Sequence, residues 1–409
     1  MKRLCACLMI FSLCIAGEPK VKLGIDVLEG RGFDILKGKR VGLITNQTGV
    51  SRNLRSTVDI LFEAPEVNLV ALYGPEHGVR GGYDAGDSVG NTIDPATGVP
   101  VFSLYDGTTG RPSEESLKDV DVLVFDIQDI GIRSYTYIST MGYCMEAAAE
   151  YKKGFVVLDR PNPLTGNIVE GRTVKDGFHS PVSAYKIPYL HGLTIGELAR
   201  VYNEEGLLTN QVRCDLTVVP MKGWKRKMSF EDTDLEWIPS SPHIPEGNTP
   251  SHCAATGILG DLYCVNVGIG YTIPFKCFAA VWIESFELCD AMNDLGLEGV
   301  IFTPVSYKPF YGTHEGVYLH GTQIFITDFK KVRLTDLQFR FMDVHHQLYP
   351  EHDIFKMSPG RWNMFDNVCG TDEIRVAFMK NYSYDDVKEI LEGDAQEFKK
   401  MSKKYYLYK

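Results

Sequence analysis

The sequence predicts an α/β protein, with an open, mostly parallel β-sheet in its first half and a second, smaller α/β domain after it. Apolar, β-branched segments alternate with helical segments between Lys39 and Asp159, a pattern typical of parallel strands joined by helices. Polar and glycine-rich residues directly follow the apolar segments. After Glu197 the regular alternation of strands and helices gives way to a proline-rich stretch and mixed elements. The length of 409 residues also fits two domains of about 100–200 residues each.

Five segments of the first half have the composition of buried strands. They are residues 40–45, 67–73, 99–104, 120–127 and 154–159. Helices are predicted between them at residues 54–64, 113–118 and 139–151, where polar cap residues or runs of Ala, Met and Glu favour a helix.

The second half is predicted as a smaller, mixed α/β domain. A helix over residues 194–205 begins with Thr194 and Glu197 in a capping-box pattern. A proline-rich stretch at residues 239–250 is predicted to be an irregular loop that folds over the first domain. Further strands (216–220, 278–283, 321–326) and helices (335–349, 383–399) follow. We expect domains at residues 18–210 and 211–409.

Residues 1–17 are predicted to be a secretory signal peptide. Lys2 and Arg3 precede a short apolar run that ends in small residues, including Ala16 and Gly17. The run is too short to span a bilayer, and no later segment is long and apolar enough, so we expect no integral membrane segment. The mature protein is therefore expected in the periplasm or outside the cell. A lipoprotein signal is the alternative, although no small residue directly precedes Cys14.

Composition and missing motifs exclude several classes of function. The net charge is −11, from 53 acidic and 42 basic residues, which argues against nucleic acid as a partner. Nucleotide-binding, zinc-protease and serine-hydrolase motifs are absent, so no cofactor or metal is expected. Seven cysteines follow the signal segment without a C-x-x-C pair, and we expect most to be buried. His345, His346 and His352 are predicted to form a solvated face.

The polar residues that follow the strands define a candidate site. The carboxyl ends of parallel strands lie along one edge of a sheet, where ligands bind. Four loops are therefore predicted to meet in one crevice: Asn46-Gln47-Thr48-Gly49, Gly74-Pro75-Glu76-His77-Gly78, Gln128-Asp129-Ile130-Gly131 and Arg160-Pro161-Asn162-Pro163.

Glu76 is the first candidate catalytic residue. It lies directly after an apolar strand, between a proline that restricts the backbone and glycines that permit tight turns. Such a loop can hold a carboxyl in the fixed, partly desolvated position that a general acid requires. The alternative is a glutamate that only bonds nearby backbone amides.

The segment from Asp126 to Tyr137 is the second candidate. Its acids, its amide and its two tyrosines suit the hydroxyls and apolar faces of a saccharide. For Asp126 a structural ion pair is an equally open interpretation. The third candidate begins at Asp159-Arg160 and includes Glu170 between two glycines. Two carboxylates from separate loops suit glycosidic bond cleavage, in which one is the acid and the other a base or nucleophile.

Several motifs in order resemble those of a bacterial family of exo-acting β-N-acetylmuramidases. The resemblance covers nearly the whole mature chain. It rests on Gly42-Leu43-Ile44-Thr45-Asn46-Gln47-Thr48-Gly49, Pro75-Glu76-His77-Gly78, the segment from Val122 to Gly131, Tyr135-Thr136-Tyr137, Asp159-Arg160-Pro161-Asn162-Pro163, His191-Gly192 and Tyr406-Leu407-Tyr408. These peptidoglycan hexosaminidases remove N-acetylmuramic acid from non-reducing ends.

The resemblance implies a Rossmann-like first domain with the active site in the cleft between the two domains. It implies a glycoside hydrolase that acts on peptidoglycan-derived saccharides, with Glu76 as general acid and Glu170 as base, nucleophile or orienter. As in some hexosaminidases, the acetamide of the substrate is an alternative internal nucleophile, which the second carboxylate would then orient. Arg133 or Arg160 is expected to bind the lactyl carboxylate. The full candidate binding set is Asn46, His77, Arg80, Asp126, Gln128, Asp129, Arg133, Tyr135, Tyr137, Arg160, Asn162 and His191.

One loop departs from the family pattern. Residues 266–272 read Asn-Val-Gly-Ile-Gly-Tyr-Thr, where many members have Ser-Glu-Gly-Arg-Gly-Thr. Leu190 also replaces an arginine that is common before the His-Gly pair. Three alternatives therefore stay open: a hexosaminidase of altered sugar specificity, a saccharide-binding protein without catalysis, and an amidase or esterase of cell-wall material.

Overall fold

The structure, a computed structural model, describes residues 20–76, 78–81, 91–104 and 110–409. The predicted signal peptide lies outside these residues. Within the described part of the chain, seven strands form the first sheet: β1 Arg40–Thr45, β2 Asn68–Gly74, β3 Thr92–Ile93, β4 Pro100–Ser103, β5 Val122–Asp126, β6 Gly154–Leu158 and β7 Asp215–Val219. The five strands predicted in the first half are confirmed to within about two residues at each end.

The strand order is β3-β4-β2-β1-β5-β6-β7. Neighbouring strands are parallel except for the pair β3 and β4, which confirms the mostly parallel sheet. The central strand β1 pairs with β2 on one side and with β5 on the other. The chain thus changes direction across the sheet at β1, and the carboxyl ends of β1 and β5 flank the kind of switch point where ligands bind.

Five helices accompany this sheet: α1 Gly24–Gly30, α2 Thr57–Glu63, α3 Glu114–Leu117, α4 Tyr137–Glu150 and α5 Ile195–Glu204. Buried apolar clusters cover the two faces of the sheet, one around Phe125 and Phe155 and the other around Val124 and Val156. The alternation of neighbours such as Val124 and Phe125 between the faces follows from the two-residue period of a strand. The predicted capping box of Thr194 and Glu197 begins α5.

The second domain contains a three-stranded antiparallel sheet in the order β8-β10-β9. Its strands are β8 Cys277–Ala280, β9 Val300–Tyr307 and β10 Leu319–Ile326. Its helices are α6 Thr249–Gly260, α7 Ser285–Asp294, α8 Leu334–Leu348, α9 Ile354–Met357, α10 Trp362–Cys369, α11 Glu373–Asn381, α12 Lys388–Glu392 and α13 Ala395–Ser402. Phe278 of β8 stacks on Phe341 of α8 at 4.1 Å in the core between sheet and helices.

The last helix was predicted wrongly as one continuous element over residues 383–399. It is broken at Gly393, whose φ of +48° is incompatible with an α-helix. The following Asp394 accepts hydrogen bonds from the amide and hydroxyl of Thr173 in the first half of the chain. This contact turns α13 back toward the first domain.

The first domain also receives segments from beyond residue 210. Strand β7 completes its sheet, and Ala395 and Phe398 of α13 join one of its buried clusters. Near the C-terminus, the Tyr408 hydroxyl donates to Asp159 and accepts from Met221 N at 2.8 Å. The two domains are therefore linked by chain passages at both ends of the second one.

The cysteines and His345 are part of the buried interior. All seven cysteines of the described residues are buried and unbridged, as predicted. The prediction of a solvated histidine face was wrong for His345, which is 1% exposed and accepts from Trp282 Nε1 at 2.9 Å. Burial lowers the pKa of His345 to about 4. Among the described residues, no helix is long and apolar enough to cross a membrane.

Candidate functional site

Asn46 follows β1, and its amide is held in one orientation. The backbone N and the hydroxyl of Thr48 donate to Asn46 Oδ1 at 2.9 and 2.5 Å. Because Oδ1 is the acceptor, Nδ2 points away from Thr48, and this buried nitrogen has no hydrogen-bond partner in the described part of the chain. Thr48 Oγ1 also accepts from Gln128 N at 2.9 Å. The loops after β1 and β5 are thereby tied together.

Glu76 lies just beyond the end of β2. Its side chain is half-buried, and Thr136 Oγ1 donates to Glu76 Oε2 at 3.4 Å. Thr136 directly precedes α4, so the carboxyl is placed beside the start of that helix. The neighbouring candidate His77 lies outside the described residues. Glu76 is thus both positioned at the sheet edge and reachable from solvent.

Tyr137 connects the two sides of the crevice. Burial raises the pKa of the Tyr137 hydroxyl above its ordinary value, the Asn46 side chain lowers it, and the charges of Glu76 and Asp129 raise it. Both carboxylates therefore lie within electrostatic range of one hydroxyl. The rings of Tyr135 and Tyr137 meet edge to face at 4.9 Å, which fixes their positions along this wall.

The proline-rich loop lies against this wall, as the sequence predicted. Tyr135 donates its hydroxyl proton to Ser240 Oγ, and Tyr137 donates to the backbone oxygen of Ser240, both at 2.7 Å. Gln47 Nε2 donates to Pro239 O at 3.0 Å. Sequence reasoning did not single out Ser240, Gln47 or Thr136, although all three lie in or beside segments that it placed at the crevice.

Asp129 and His191 form a buried pair, 6% and 1% exposed. Asp129 Oδ2 accepts from Gly131 N at 2.7 Å and lies 3.5 Å from His191 Nε2. His191 Nδ1 accepts from Leu193 N at 3.3 Å, so a neutral ring carries its proton on Nε2, facing Asp129. Asp129 Oδ1 is buried and has no hydrogen-bond partner among the described residues.

Four buried polar atoms in the crevice loops have no hydrogen-bond partner among the described residues: Asn46 Nδ2, Gln47 Oε1, Asp129 Oδ1 and His191 Nε2. Buried polar atoms are normally paired in a folded protein. A cluster of unpaired ones beside a half-buried carboxyl indicates a ligand that offers both hydrogen-bond donors and acceptors. The described residues contain no group of three or more potential metal ligands.

The structure gives Arg133 a different role from the predicted one. Its guanidinium is 1% exposed and donates to the backbone oxygens of Arg172 and Ile187 at 2.7 and 2.8 Å. It also donates to Ser183 Oγ and, in α10, to Val368 O. Burial lowers the pKa of Arg133 to about 10. Its nitrogens hold the two domains together and are not directed at a lactyl carboxylate.

Asp126 and Arg160 bond to each other, which corrects their predicted place in the binding set. Arg160 Nε and Nη2 donate to the two Asp126 oxygens at 2.6 and 2.9 Å, with the residues 3% and 0% exposed. Thr57 Oγ1 donates to Asp126 Oδ2, and Arg160 Nη2 to Val50 O. This bidentate pair joins the carboxyl ends of β5 and β6, so the structural interpretation of Asp126 applies.

Three further candidates have structural contacts. Gln128 Nε2 donates to the backbone oxygens of Asp129 and Pro161 at 2.7 and 2.8 Å, and Asn162 Nδ2 donates to Leu193 O at 2.9 Å. These amides shape the loops rather than face a ligand. Arg80 forms ion pairs with Asp59 and Asp94, and thus lies at the surface rather than among the unsatisfied groups.

Glu170 is directed toward the second domain. Glu170 Oε2 accepts from Thr335 N, in the first turn of α8, at 3.0 Å, and the residue is 7% exposed. Burial raises the pKa of Glu170 to about 7, while the Thr335 amide and Arg333 lower it. Its backbone pairs with Leu190, next to His191, but its carboxylate caps a helix. The Glu170 carboxylate is thus bound by α8, and the structure shows no contact between it and Asn46, Asp129 or His191.

The altered loop at residues 266–272 is held by neutral contacts. Asn266 Oδ1 accepts from Tyr307 OH and Gly268 N, both at 2.7 Å, and Tyr271 stacks on Tyr307 at 5.0 Å. Phe310 N donates to Gly270 O, and Tyr311 meets His243, which follows the Ser240 loop. The loop is therefore connected to the segment that covers the crevice.

Comparison with known proteins gives consistent matches over almost the whole chain. Residues 41–248 match the family described as "Exo-beta-N-acetylmuramidase NamZ, N-terminal", and residues 254–408 match its C-terminal counterpart. The Bacillus subtilis (strain 168) protein named peptidoglycan beta-N-acetylmuramidase NamZ is 46% identical over 393 residues, which are 96% of this chain and 92% of the relative.

Two crystal structures of DUF1343 family proteins from Bacteroides fragilis NCTC 9343 are also similar. One is 53% identical with a TM-score of 0.92, and the other is 29% identical with a TM-score of 0.73. Each alignment covers 95% of this chain and 99% of the other.

Proposed function

The chain belongs to the exo-β-N-acetylmuramidase NamZ family of glycoside hydrolases, and from this premise we propose its substrate and the role of its site. It hydrolyses the glycosidic bond that joins a non-reducing-end N-acetylmuramic acid to the rest of a peptidoglycan fragment. Glu76 protonates the leaving oxygen as general acid. Asn46, Asp129 and His191 bind the sugar.

One observation carries this proposal: Asn46 and Asp129, each with a buried atom that has no hydrogen-bond partner among the described residues, act together with Glu76 on the hydroxyl of Tyr137. A sugar that carries an acetamide offers hydroxyl and amide groups, which both donate and accept hydrogen bonds. Tyr135 and Tyr137 add ring faces on which the apolar face of a sugar can pack. The site lies at the switch point of the sheet, where such ligands bind in parallel α/β proteins.

The identity of the sugar is the part of the proposal that most needs a test, because the two predicted lactyl-binding arginines are occupied elsewhere. We would incubate the purified protein with the disaccharide in which N-acetylmuramic acid is β-linked to N-acetylglucosamine. Mass spectrometry is expected to show both free sugars. An amidase or esterase would leave the glycosidic bond intact, and a binding protein would release nothing.

A matched pair of chromogenic glycosides then tests sugar specificity. Turnover of the β-N-acetylmuramic acid glycoside is expected to exceed that of the β-N-acetylglucosamine glycoside. The reverse preference would identify a hexosaminidase of altered specificity, and would be consistent with the substituted loop at residues 266–272.

We also propose that the protein is exported and acts in the periplasm or outside the cell. The basic start and the apolar run within residues 1–17 support this. Protein recovered from the native cell envelope or medium should have an N-terminus near residue 18. Recovery from the cytoplasm with Met1 intact would contradict export.

A further inference from the structure

We propose that Asp129, rather than Glu170, is the second catalytic carboxylate, and that it acts by orienting the acetamide of the substrate as an internal nucleophile. The inference rests on the proposed function, because it requires a sugar with a 2-acetamido group. It assigns one group of the acetamide to Asn46 Nδ2 and the other to Asp129 Oδ1.

The position of Glu170 argues against a role in the chemistry. Its Oε2 accepts from Thr335 N at the start of α8, where the positive end of the helix dipole favours an anion. Arg333 and Asp336 act on the same carboxyl from the second domain. The Glu170 carboxylate therefore serves the junction between the two domains, because its oxygen is already bound by the Thr335 amide.

Asp129, by contrast, is held on one oxygen and free on the other. Gly131 N binds Oδ2, and Gln128 Nε2 fixes the backbone oxygen of Asp129 at 2.7 Å. Gly131 has a φ of +81°, so the loop can curl back to place its amide on that carboxylate. Oδ1 is buried and receives no hydrogen bond from the part of the chain that the structure describes, which is costly unless a ligand supplies a donor.

His191 serves as a positioning residue for Asp129. With Nδ1 accepting from Leu193 N, the Nε2 proton faces Asp129 Oδ2 at 3.5 Å. A ring N–H directed at a carboxylate restricts its rotation. Asp129 is therefore kept as an oriented acceptor in a buried place.

The neighbouring donor and acceptor match an amide group. Among the described residues, Asn46 Nδ2 lacks an acceptor and Asp129 Oδ1 lacks a donor, and their loops are joined through Thr48 and Gln128 N. An acetamide has one carbonyl acceptor and one N–H donor. Asn46 can hold the carbonyl oxygen below the anomeric carbon while Asp129 accepts the N–H.

The reaction then takes place in two balanced steps. In the first, the acetamide carbonyl oxygen attacks C1, the glycosidic C1–O bond breaks, and Glu76 gives its proton to the leaving oxygen. The positive charge of the resulting oxazolinium ring is stabilised by the Asp129 carboxylate. In the second, water attacks C1, gives a proton to Glu76, and the ring opens to restore the acetamide. Two inversions leave the β configuration of the product.

The first test uses the wild-type protein and needs no variant. We would measure turnover of 4-nitrophenyl β-N-acetylmuramic acid glycosides whose acetamide carries zero to three fluorine atoms, and follow the anomer first released by proton NMR. Fluorine weakens the carbonyl nucleophile, so the rate should fall steeply with each atom, and the first product should be the β-anomer. An α-anomer, or a rate independent of fluorination, would overturn the inference.

The second test compares Asp129→Asn with Glu170→Gln and with Asp215→Asn, an exposed control at the start of β7. Asp129→Asn should lower kcat about 10²–10³-fold on both the disaccharide and the nitrophenyl glycoside and reduce the dependence on fluorination. The other two variants should retain wild-type kcat. Loss of activity in Glu170→Gln with an active Asp129→Asn would assign the role to Glu170.

The two proposals fail in different ways. A wild-type protein that releases no N-acetylmuramic acid would overturn both. A wild-type protein that releases it while Asp129→Asn stays fully active would overturn only the role of Asp129.

Discussion

At the scale of single residues, the same chemical groups serve two purposes at the edge of this sheet. Asp126 is the last residue of β5 and Asp129 lies three positions later. Asp126 is paired through both oxygens with Arg160, whereas Asp129 Oδ1 has no hydrogen-bond partner among the described residues. A buried carboxylate with a bidentate arginine partner has little to offer a ligand. A buried carboxylate with an unpaired oxygen is a site for one.

The buried pair predicts a variant with a stability defect and an intact site. Removing the charge in Asp126→Asn leaves Arg160 buried without its partner, and should lower the free energy of unfolding by about 3–5 kcal/mol. The folded fraction should keep its kcat. Urea unfolding and activity would be measured together, with Asp119→Asn as the control.

Asp119 pairs with Arg40 at 3.3 Å, and its side chain is 70% exposed. Its loss should change stability by less than about 1 kcal/mol. An Asp126→Asn protein of normal stability but without activity would instead return Asp126 to the binding set.

At this scale the sequence predicts which residues lie at the carboxyl edge of the sheet, and their roles in binding and catalysis remain predictions. Loop position alone brings Asn46, Glu76, Asp129 and the two tyrosines together, because every parallel strand ends at the same edge. It could not separate Arg133 from a ligand-binding arginine. Its partner Val368 is 235 positions away in sequence, and a contact of that kind depends on how the two domains pack.

At the scale of elements, Glu170 and α8 form a junction between the domains. The carboxyl has an ordinary pKa of 4.5 and a pKa of about 7 in the folded protein. Because the folded pKa is raised, its contribution to stability is complete below about pH 4.5 and is lost as the pH rises through 7.

A comparison of the wild type with Glu170→Gln isolates this effect. Glutamine keeps an oxygen for Thr335 N but does not titrate, and the similarly raised Asp159 is common to both proteins. Between pH 5 and 8 the wild type should lose up to roughly 3 kcal/mol of unfolding free energy relative to the variant. A difference that does not change with pH would contradict the buried position of Glu170.

Strands were predicted more accurately than the helices of the second domain. The central strands β1, β5 and β6 are continuous apolar segments because both of their faces are covered. The helix α6 begins at Thr249 with a proline in its first turn, a place where proline is tolerated, but it lies at the end of a stretch predicted to be irregular. The break at Gly393 depends on contacts of Asp394 with Thr173, which no local pattern reveals.

At the scale of the whole molecule, the C-terminal residues pack against the first domain. The final residues return to the first domain, where Leu407 N donates to Glu197 Oε1 at 2.8 Å and Tyr408 bonds to Asp159. The second domain is thus joined at both ends to the domain that carries Glu76, and its Ser240 loop covers the tyrosine wall of the crevice.

The most direct test of this account is the effect of Glu76→Gln on two substrates with different leaving groups. The matched control is Glu66→Gln, an exposed glutamate before the same strand. With the natural disaccharide, whose sugar alkoxide must be protonated as it leaves, kcat/KM of Glu76→Gln, which reports the bond-cleaving first step, should fall about 10²–10⁴-fold. With the 4-nitrophenyl glycoside, whose phenolate leaves without a proton, the fall should be much smaller, and Glu66→Gln should match the wild type on both. Equal losses on both substrates, or no loss on the disaccharide, would contradict the assignment of Glu76 as the general acid.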